Sequence, residues 1–140
     1  MVVLFIQAKL DNPTKPRRIL DTRDRNEAVD PNYTPLTSIE EIRELFAAQK
    51  YWSKNDLAHG YYSIRIEEDS EPHPSFLTYM GYYYSRIIQQ GDRNAPATMV
   101  WAMYDIFKKM VFKDLVTYID NIIIFSDTYE KHVATLRKVL

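Results

Sequence analysis

Tyr118-Ile119-Asp120-Asn121-Ile122-Ile123-Ile124-Phe125 is the most informative segment of the chain. Two short apolar runs, Leu115 to Ile119 and Ile122 to Phe125, flank Asp120-Asn121. Strand-forming runs separated by two turn residues predict a tight β-hairpin. Its tip would hold a carboxylate rigidly between two strands. Asp and Asn are also what an ordinary turn selects, so the stretch alone reads as a simple turn as well. A second acid stands in a comparable place. Asp56 ends a predicted strand over Lys50 to Asp56 and precedes Leu57-Ala58-His59-Gly60-Tyr61. Two carboxylates at adjacent strand ends would suit a pair of divalent cations. Hard oxygen ligands favour magnesium, which keeps some waters and takes its other ligands from phosphates. Two such ions can activate an attacking hydroxyl and stabilise a leaving group.

On either side of these segments the chain mixes strands and helices. Val2 to Lys9 is a β-branched apolar run, and Asn12-Pro13 and Lys15-Pro16 mark a turn. Arg17 to Leu20 would return as a second strand, making a basic hairpin. Asp21 to Val29 is polar and reads as a short helix. Ser38-Ile39-Glu40-Glu41 is a capping box, opening a helix with Ile39, Ile42, Leu45 and Phe46 on one face. Tyr61 to Ile66 alternates loosely, and Phe76 to Tyr79 and Tyr82 to Ile87 flank a turn at Met80-Gly81. Asn94 would cap a helix running to about Met110, with Met99, Val100, Met103, Ile106, Phe107 and Met110 inward. Asp127 would cap a last helix with Val133, Leu136 and Leu140 inward. The mixture predicts an α+β fold, an antiparallel sheet with packed helices.

Composition narrows the chemistry. Of the 140 residues, 46% are hydrophobic and 26% charged, which fits a packed core and excludes a disordered polymer. No apolar run is long enough to span a membrane. Without cysteine there is no disulfide, thiolate metal site or Cys nucleophile. His59, His73 and His132 lack metal-ligand spacing, which argues against a zinc hydrolase. The net charge is −1, unlike a free-standing nucleic-acid binder. Lys9 to Arg25 is locally basic, with six basic residues against three acids. Eleven tyrosines, several clustered, read as half-buried strand surface or as stacking platforms for bases and sugars.

The segments together resemble the fingers and palm of the reverse transcriptase of a gypsy-like LTR retrotransposon. The resemblance runs from about Val2 to Leu140 and rests on many motifs in family order. They are Val3-Leu4-Phe5, Arg17 through Asn26, Pro35 through Glu41, Lys50 through Leu57, Gly60-Tyr61, Ile64-Arg65-Ile66, Asn94 through Thr98, Tyr118 through Ile122, and Glu130-Lys131-His132 to Leu136-Arg137. It implies an RNA-directed DNA polymerase domain of a retrotransposon polyprotein, acting by two-metal transfer of a nucleotide to a primer 3′-hydroxyl. Asp56 and Asp120 would be the metal-binding aspartates, holding two Mg2+ or, in their place, Mn2+. Tyr61 would lie under the incoming sugar and exclude a ribose 2′-hydroxyl. Gln90-Gly91 would contact the incoming nucleotide. Lys9 and Arg17 would grip its triphosphate, Arg by its bidentate fork. Read without the resemblance, Lys9 and Arg17 are a solvated hairpin tip, Tyr61 is packing and Gln90 is turn chemistry. The implied partners are an RNA or DNA template-primer and a deoxynucleotide, with no membrane and an intracellular setting.

Three departures stand out. Asn121 occupies the place of a second adjacent aspartate, so the catalytic set Asp56, Asp120 and Asn121 carries two negative charges rather than three. Asp92 follows Gly91 where such proteins commonly have leucine. Pro72 and Pro74 each remove an amide donor. The expected organisation is a single fingers-and-palm domain over 1–140, with thumb absent and the chain ending before the primer-grip hairpin and RNase H. Positioning supplies much of the rate in phosphoryl transfer, so weak or no polymerisation is expected of this chain alone. The alternatives are a non-catalytic remnant acting as an interaction module, and an unrelated α+β interaction protein with a coincidental turn. Exposed apolar surface predicts self-association.

Overall fold

The computed structural model describes residues 4–7, 17–69 and 75–140, with backbone alone for 4–7 and 17–19. By backbone contacts the chain forms two compact units. One comprises Met1–Asn32 and His59–Ala95, the other Tyr33–Ala58 and Pro96–Leu140. Among the described residues no helix is long and apolar enough to cross a membrane.

In the first unit, β1 (Leu4–Gln7) pairs antiparallel with β2 (Arg17–Leu20), as the basic hairpin requires. A short helix, α1 (Arg23–Ala28), follows. Before it, Arg23 donates from Nε and Nη2 to the two carboxylate oxygens of Asp21, at 2.9 and 2.6 Å. Those bonds hold the Asp21 carboxyl down at about 2. Tyr61 to Ile66 does not form a strand. Gly60–Ser63 is instead a 3-10 turn, entered through His59 in the left-handed region at φ 58°. The Tyr62 amide donates to the His59 carbonyl, so these residues meet their backbone bonds locally. The hairpin β4 (Ser75–Thr78) and β5 (Gly81–Tyr84) turns on Tyr79-Met80, one position earlier than expected. Thr78 Oγ1 accepts from the Met80 amide and donates to the Gly81 carbonyl, which fixes the turn there.

The second unit carries a three-stranded antiparallel sheet in the order β3-β7-β6, from β3 (Tyr51–Asp56), β6 (Leu115–Tyr118) and β7 (Asn121–Ser126). Its helices are α2 (Ile39–Ala47), α3 (Ala95–Phe107, all but its first residue in this unit) and α4 (Tyr129–Val139). The Ser38 capping box forms in full. Ser38 Oγ accepts from the Glu41 amide, and Glu41 accepts from the Ser38 amide at 2.8 Å. Phe46 packs its ring 5.6 Å from that of Phe125 on β7, while Ile39 at the helix start is exposed. Along α3 the stripe is Met99, Met103 and then Phe107 at i+4 spacing. Ile106 falls off it and is 69% exposed. The helix ends at Phe107 rather than Met110, because the Phe107 carbonyl accepts from both the Met110 and Val111 amides. Thr128, not Asp127, caps α4, taking the Lys131 amide. His132 and Thr135 are its buried residues, and Leu140 is exposed.

The hairpin loop also shifts by one position. Tyr118 pairs with Asn121, so the two loop residues are Ile119-Asp120 rather than Asp120-Asn121. Apolar pairing favours the choice. In this register Leu115 lies opposite Ile124, and both are fully buried. A loop at Asp120-Asn121 would set Leu115 opposite Ser126.

Two outcomes follow for the folded chain. Ser38→Ala removes a satisfied cap and is expected to cost about 1 kcal/mol in denaturant unfolding. Arg23→Ala is expected to return the Asp21 carboxyl toward 3.8, followed by NMR titration. A carboxyl held low in the folded state stabilises it above the unfolded value, and that contribution fades as pH falls toward 2. The variant should lose that acid-side dependence.

Candidate active site

The site is built on the central strand. Asn121 begins β7 and is the partner of Tyr118 on one side and of Asp56 on the other. The Leu57 amide donates to the Asp120 carbonyl at 3.1 Å, extending the β3–β7 ladder past the strand end. The ladder therefore brings Asp56, Asp120 and Asn121 to one end of one sheet. Asp56 is exposed, and Asp120 and Asn121 are half-buried. The Asn121 amide nitrogen donates to Asp120 Oδ1 at 3.3 Å and to the Tyr118 carbonyl at 3.5 Å. Strand alternation sets Trp52 and Lys54 on the Asp56 face, and both are exposed. Sequence reading overlooked Lys54, a cation two residues from the carboxylate. The period of two along β3 was the signal that could have found it.

Ile119 sits at φ +56°, a region that β-branched residues seldom enter. The two-residue loop demands it, and the adjoining ladders leave no slack. Backbone strain is thus stored beside Asp120, at a cost of about 1–2 kcal/mol.

The remaining candidate residues lie in the first unit or outside the described residues. Lys9, Pro72 and Pro74 are outside them, and Arg17 is described by its backbone alone, paired with Gln7. Tyr61 is half-buried in the 3-10 turn. Gln90 and Gly91 are exposed. Gly91 adopts φ +106°, and a Cβ there would meet Thr22 Oγ1 at 3.3 Å. Its carbonyl accepts from Thr22 Oγ1 and Asn26 Nδ2, each at 2.8 Å. Asp92, the departure after Gly91, accepts from Arg25 at 2.9 Å, with little of the Asp92 side chain exposed. Asn94 Nδ2 donates to the Asp30 carbonyl, and the Asn32 amide donates to Asn94 Oδ1. The loop after Gln90 is thus stitched to the segment around α1. Asp92 anchors it from a position where leucine offers no hydrogen bond.

Residues 8–140 match the family described as reverse transcriptase (RNA-dependent DNA polymerase). The chain belongs to this family. It is 33% identical over 125 residues to the retrovirus-related Pol polyprotein from transposon 297 of Drosophila melanogaster, covering 89% of this chain and 12% of that polyprotein. It is 32% identical over 129 residues to the corresponding polyprotein from transposon gypsy of the same fly, covering 92% and 12%. Among solved structures it superposes on prototype foamy virus protease-reverse transcriptase with a TM-score of 0.81, at 25% identity, over 99% of this chain and 18% of that one. The chain thus spans about an eighth of each of these two polyproteins. It is a reverse transcriptase domain of the retroelement type, with the α+β fingers-and-palm fold of that enzyme.

For the strained loop, Ile119→Gly is expected to cost less than about 1 kcal/mol, since relief of strain offsets lost packing. The same truncation at Ile123, half-buried but in the ordinary strand region, is expected to cost about 2 kcal/mol or more. Paired denaturation curves check the contrast.

Proposed function

We propose that this reverse transcriptase domain carries the nucleotidyl-transfer centre of an RNA-directed DNA polymerase, with Asp56 and Asp120 as the metal-binding carboxylates. The observation that supports this most is the ladder register, which sets Asp56 opposite Asn121 and ties Leu57 to Asp120. The donor set suits Mg2+ or Mn2+. Two carboxylates and an amide carbonyl are hard oxygen ligands, and Mg2+ needs only one or two carboxylates when phosphates and waters complete its shell. No group of three or more His, Cys, Asp or Glu side chains is arranged for a metal among the described residues. When bound, the ions would supply the Lewis acidity for attack by a primer 3′-hydroxyl and for departure of pyrophosphate.

The protein's own residues would bind and orient. Asp56 and Asp120 would hold the cations that offset the negative charge of the triphosphate, which the carboxylates alone would repel. Tyr61 would limit the space beside the sugar, and Gln90 and Gly91 would face the incoming nucleotide. Lys9 and Arg17 would hold its phosphates. The unit containing Tyr61 would serve as fingers and the unit containing Asp56 as palm, together one polymerase domain fragment over 1–140. Template-primer is the expected partner, supported by the foamy viral protease-reverse transcriptase solved in complex with an RNA/DNA hybrid. Self-association is expected through the second unit, whose groove of about 310 Å3 is lined by Leu36, Trp101, Tyr104 and Phe112. A monomer in light scattering at high concentration would count against it.

One observation favours a second reading, a non-catalytic remnant. The Asn121 amide donates to Asp120 Oδ1, occupying an oxygen that a cation would use. Primer extension on an RNA template, with Mg2+ and then Mn2+, separates the two. The polymerase reading expects weak extension by the native chain, lost by a factor of at least about 100 in Asp56→Ala. A silent native chain whose Asn121→Asp variant extends the primer would favour the remnant. Silence in every variant would reject catalysis by this chain alone.

A further inference from the structure

His132, on α4, is buried and joins two strands of the sheet. Its Nε2 lies 2.8 Å from Ser53 Oγ on β3, and its Nδ1 lies 3.0 Å from Ser126 Oγ on β7. Ser126 is fully buried, and the Tyr51 ring lies against the imidazole at 6.2 Å. A neutral imidazole donates from one nitrogen and accepts at the other, and each serine hydroxyl can do either, so both contacts are satisfied. Ser53 and Ser126 stand diagonally in the ladder, because Tyr51 pairs with Ser126 and Ser53 with Ile124. The two ring nitrogens span that diagonal.

We propose that His132 is a positioning residue that fixes the β3–β7 register and so holds Asp56 beside Asn121 and Asp120. Its catalytic meaning rests on the reading of Asp56 and Asp120 given above. The need for such a device lies in β7 itself. Ile122-Ile123-Ile124 is a uniform run. A one-residue slip is excluded because it would turn every side chain to the opposite face. A two-residue slip keeps the faces and in either direction sets one isoleucine of the run where another stood, so apolar packing resists it less than it resists a one-residue slip. Yet such a slip would move Asp56 from Asn121 to Ile119 or Ile123, a displacement of about 7 Å. Cations in a two-metal centre lie about 4 Å apart, so the site would be lost. Either slip also changes the spacing between the two serines and would leave a buried ring nitrogen unpaired, which is costly. The polar bridge at one end of the ladder thus adds to the discrimination between registers that the short aliphatic middle supplies only in part.

Amide hydrogen exchange on the whole chain tests this, because the Leu57 amide reports the far end of the β3–β7 ladder. The Phe125 amide, which donates to the Asp114 carbonyl, is the reference on the β6 side. In His132→Leu, Leu57 exchange is expected to accelerate about tenfold relative to Phe125. Mn2+ affinity, read by paramagnetic relaxation, is expected to fall about tenfold. His132→Gln, which keeps a donor and an acceptor, is expected to recover part of both. Leu136→Ala loosens the same helix without touching the bridge, and should speed both amides alike. Ser53→Ala removes one arm without opening the core and should move the ratio in the same direction, which covers the case in which His132→Leu does not fold. A native Leu57/Phe125 ratio in His132→Leu or Ser53→Ala, or the same change of ratio in Leu136→Ala, overturns the proposal. A ratio that responds while the native chain binds no Mn2+ supports the register role and counts against the metal site instead.

Discussion

The pairing of β3 with β7 is the constraint on which the second unit depends. β7 is the central strand, and its register with β3 runs unbroken from Tyr51 opposite Ser126 to Asp56 opposite Asn121. Main-chain bonds continue it at both ends, from the Lys50 amide to the Ser126 carbonyl and from the Leu57 amide to the Asp120 carbonyl. Because side chains alternate along a strand, this one register determines which residues share the Asp56 face. It also determines which residues meet α4 on the other. Chemistry and packing are therefore set by the same choice and cannot be varied separately.

The hairpin shows how that choice overrides local preference. Asp120-Asn121 is a better turn sequence than Ile119-Asp120. The chain nonetheless turns on Ile119-Asp120 and accepts a β-branched residue at φ +56°. Setting Leu115 against the apolar Ile124, rather than against the equally buried Ser126 hydroxyl, favours this turn despite roughly 1–2 kcal/mol of backbone strain. The consequence is functional as well as structural. Asn121 becomes a ladder residue, held between Tyr118 and Asp56, and its amide is turned onto Asp120. In an acidic cluster an aspartate at this position would repel its neighbours in the absence of cations. Asn121 replaces that repulsion with a hydrogen bond.

In the first unit the same logic operates through polar contacts. The segment from Gln89 to Ala95 is fastened to residues 22–32 by side-chain bonds to backbone groups, with Thr22, Asn26, Arg93 and Asn94 as the principal donors and acceptors. Asp92 adds an ion pair with Arg25 of limited exposure. Asp92, where the resemblance leads one to expect leucine, thereby anchors this segment.

Elements whose signals are local were legible in the sequence. The Ser38 capping box needs only four consecutive residues, and the hairpins and the β3 strand follow from short runs of strand formers. Family membership was legible for a different reason, since many weak motifs in a fixed order are jointly specific. Tertiary contacts decided what spacing could not. The position of the β6–β7 turn followed from setting Leu115 against the apolar Ile124. The end of α3 and the 3-10 turn at Gly60 were set instead by local main-chain hydrogen bonds, which side-chain periodicity does not record. The adjacency of Asp56 and Asn121, and the bridge from His132 to Ser53 and Ser126, join residues more than sixty positions apart except for the last pair. A linear pattern records which residues favour a strand. It does not record which strand lies beside which, because that depends on the total apolar surface buried when the sheet closes.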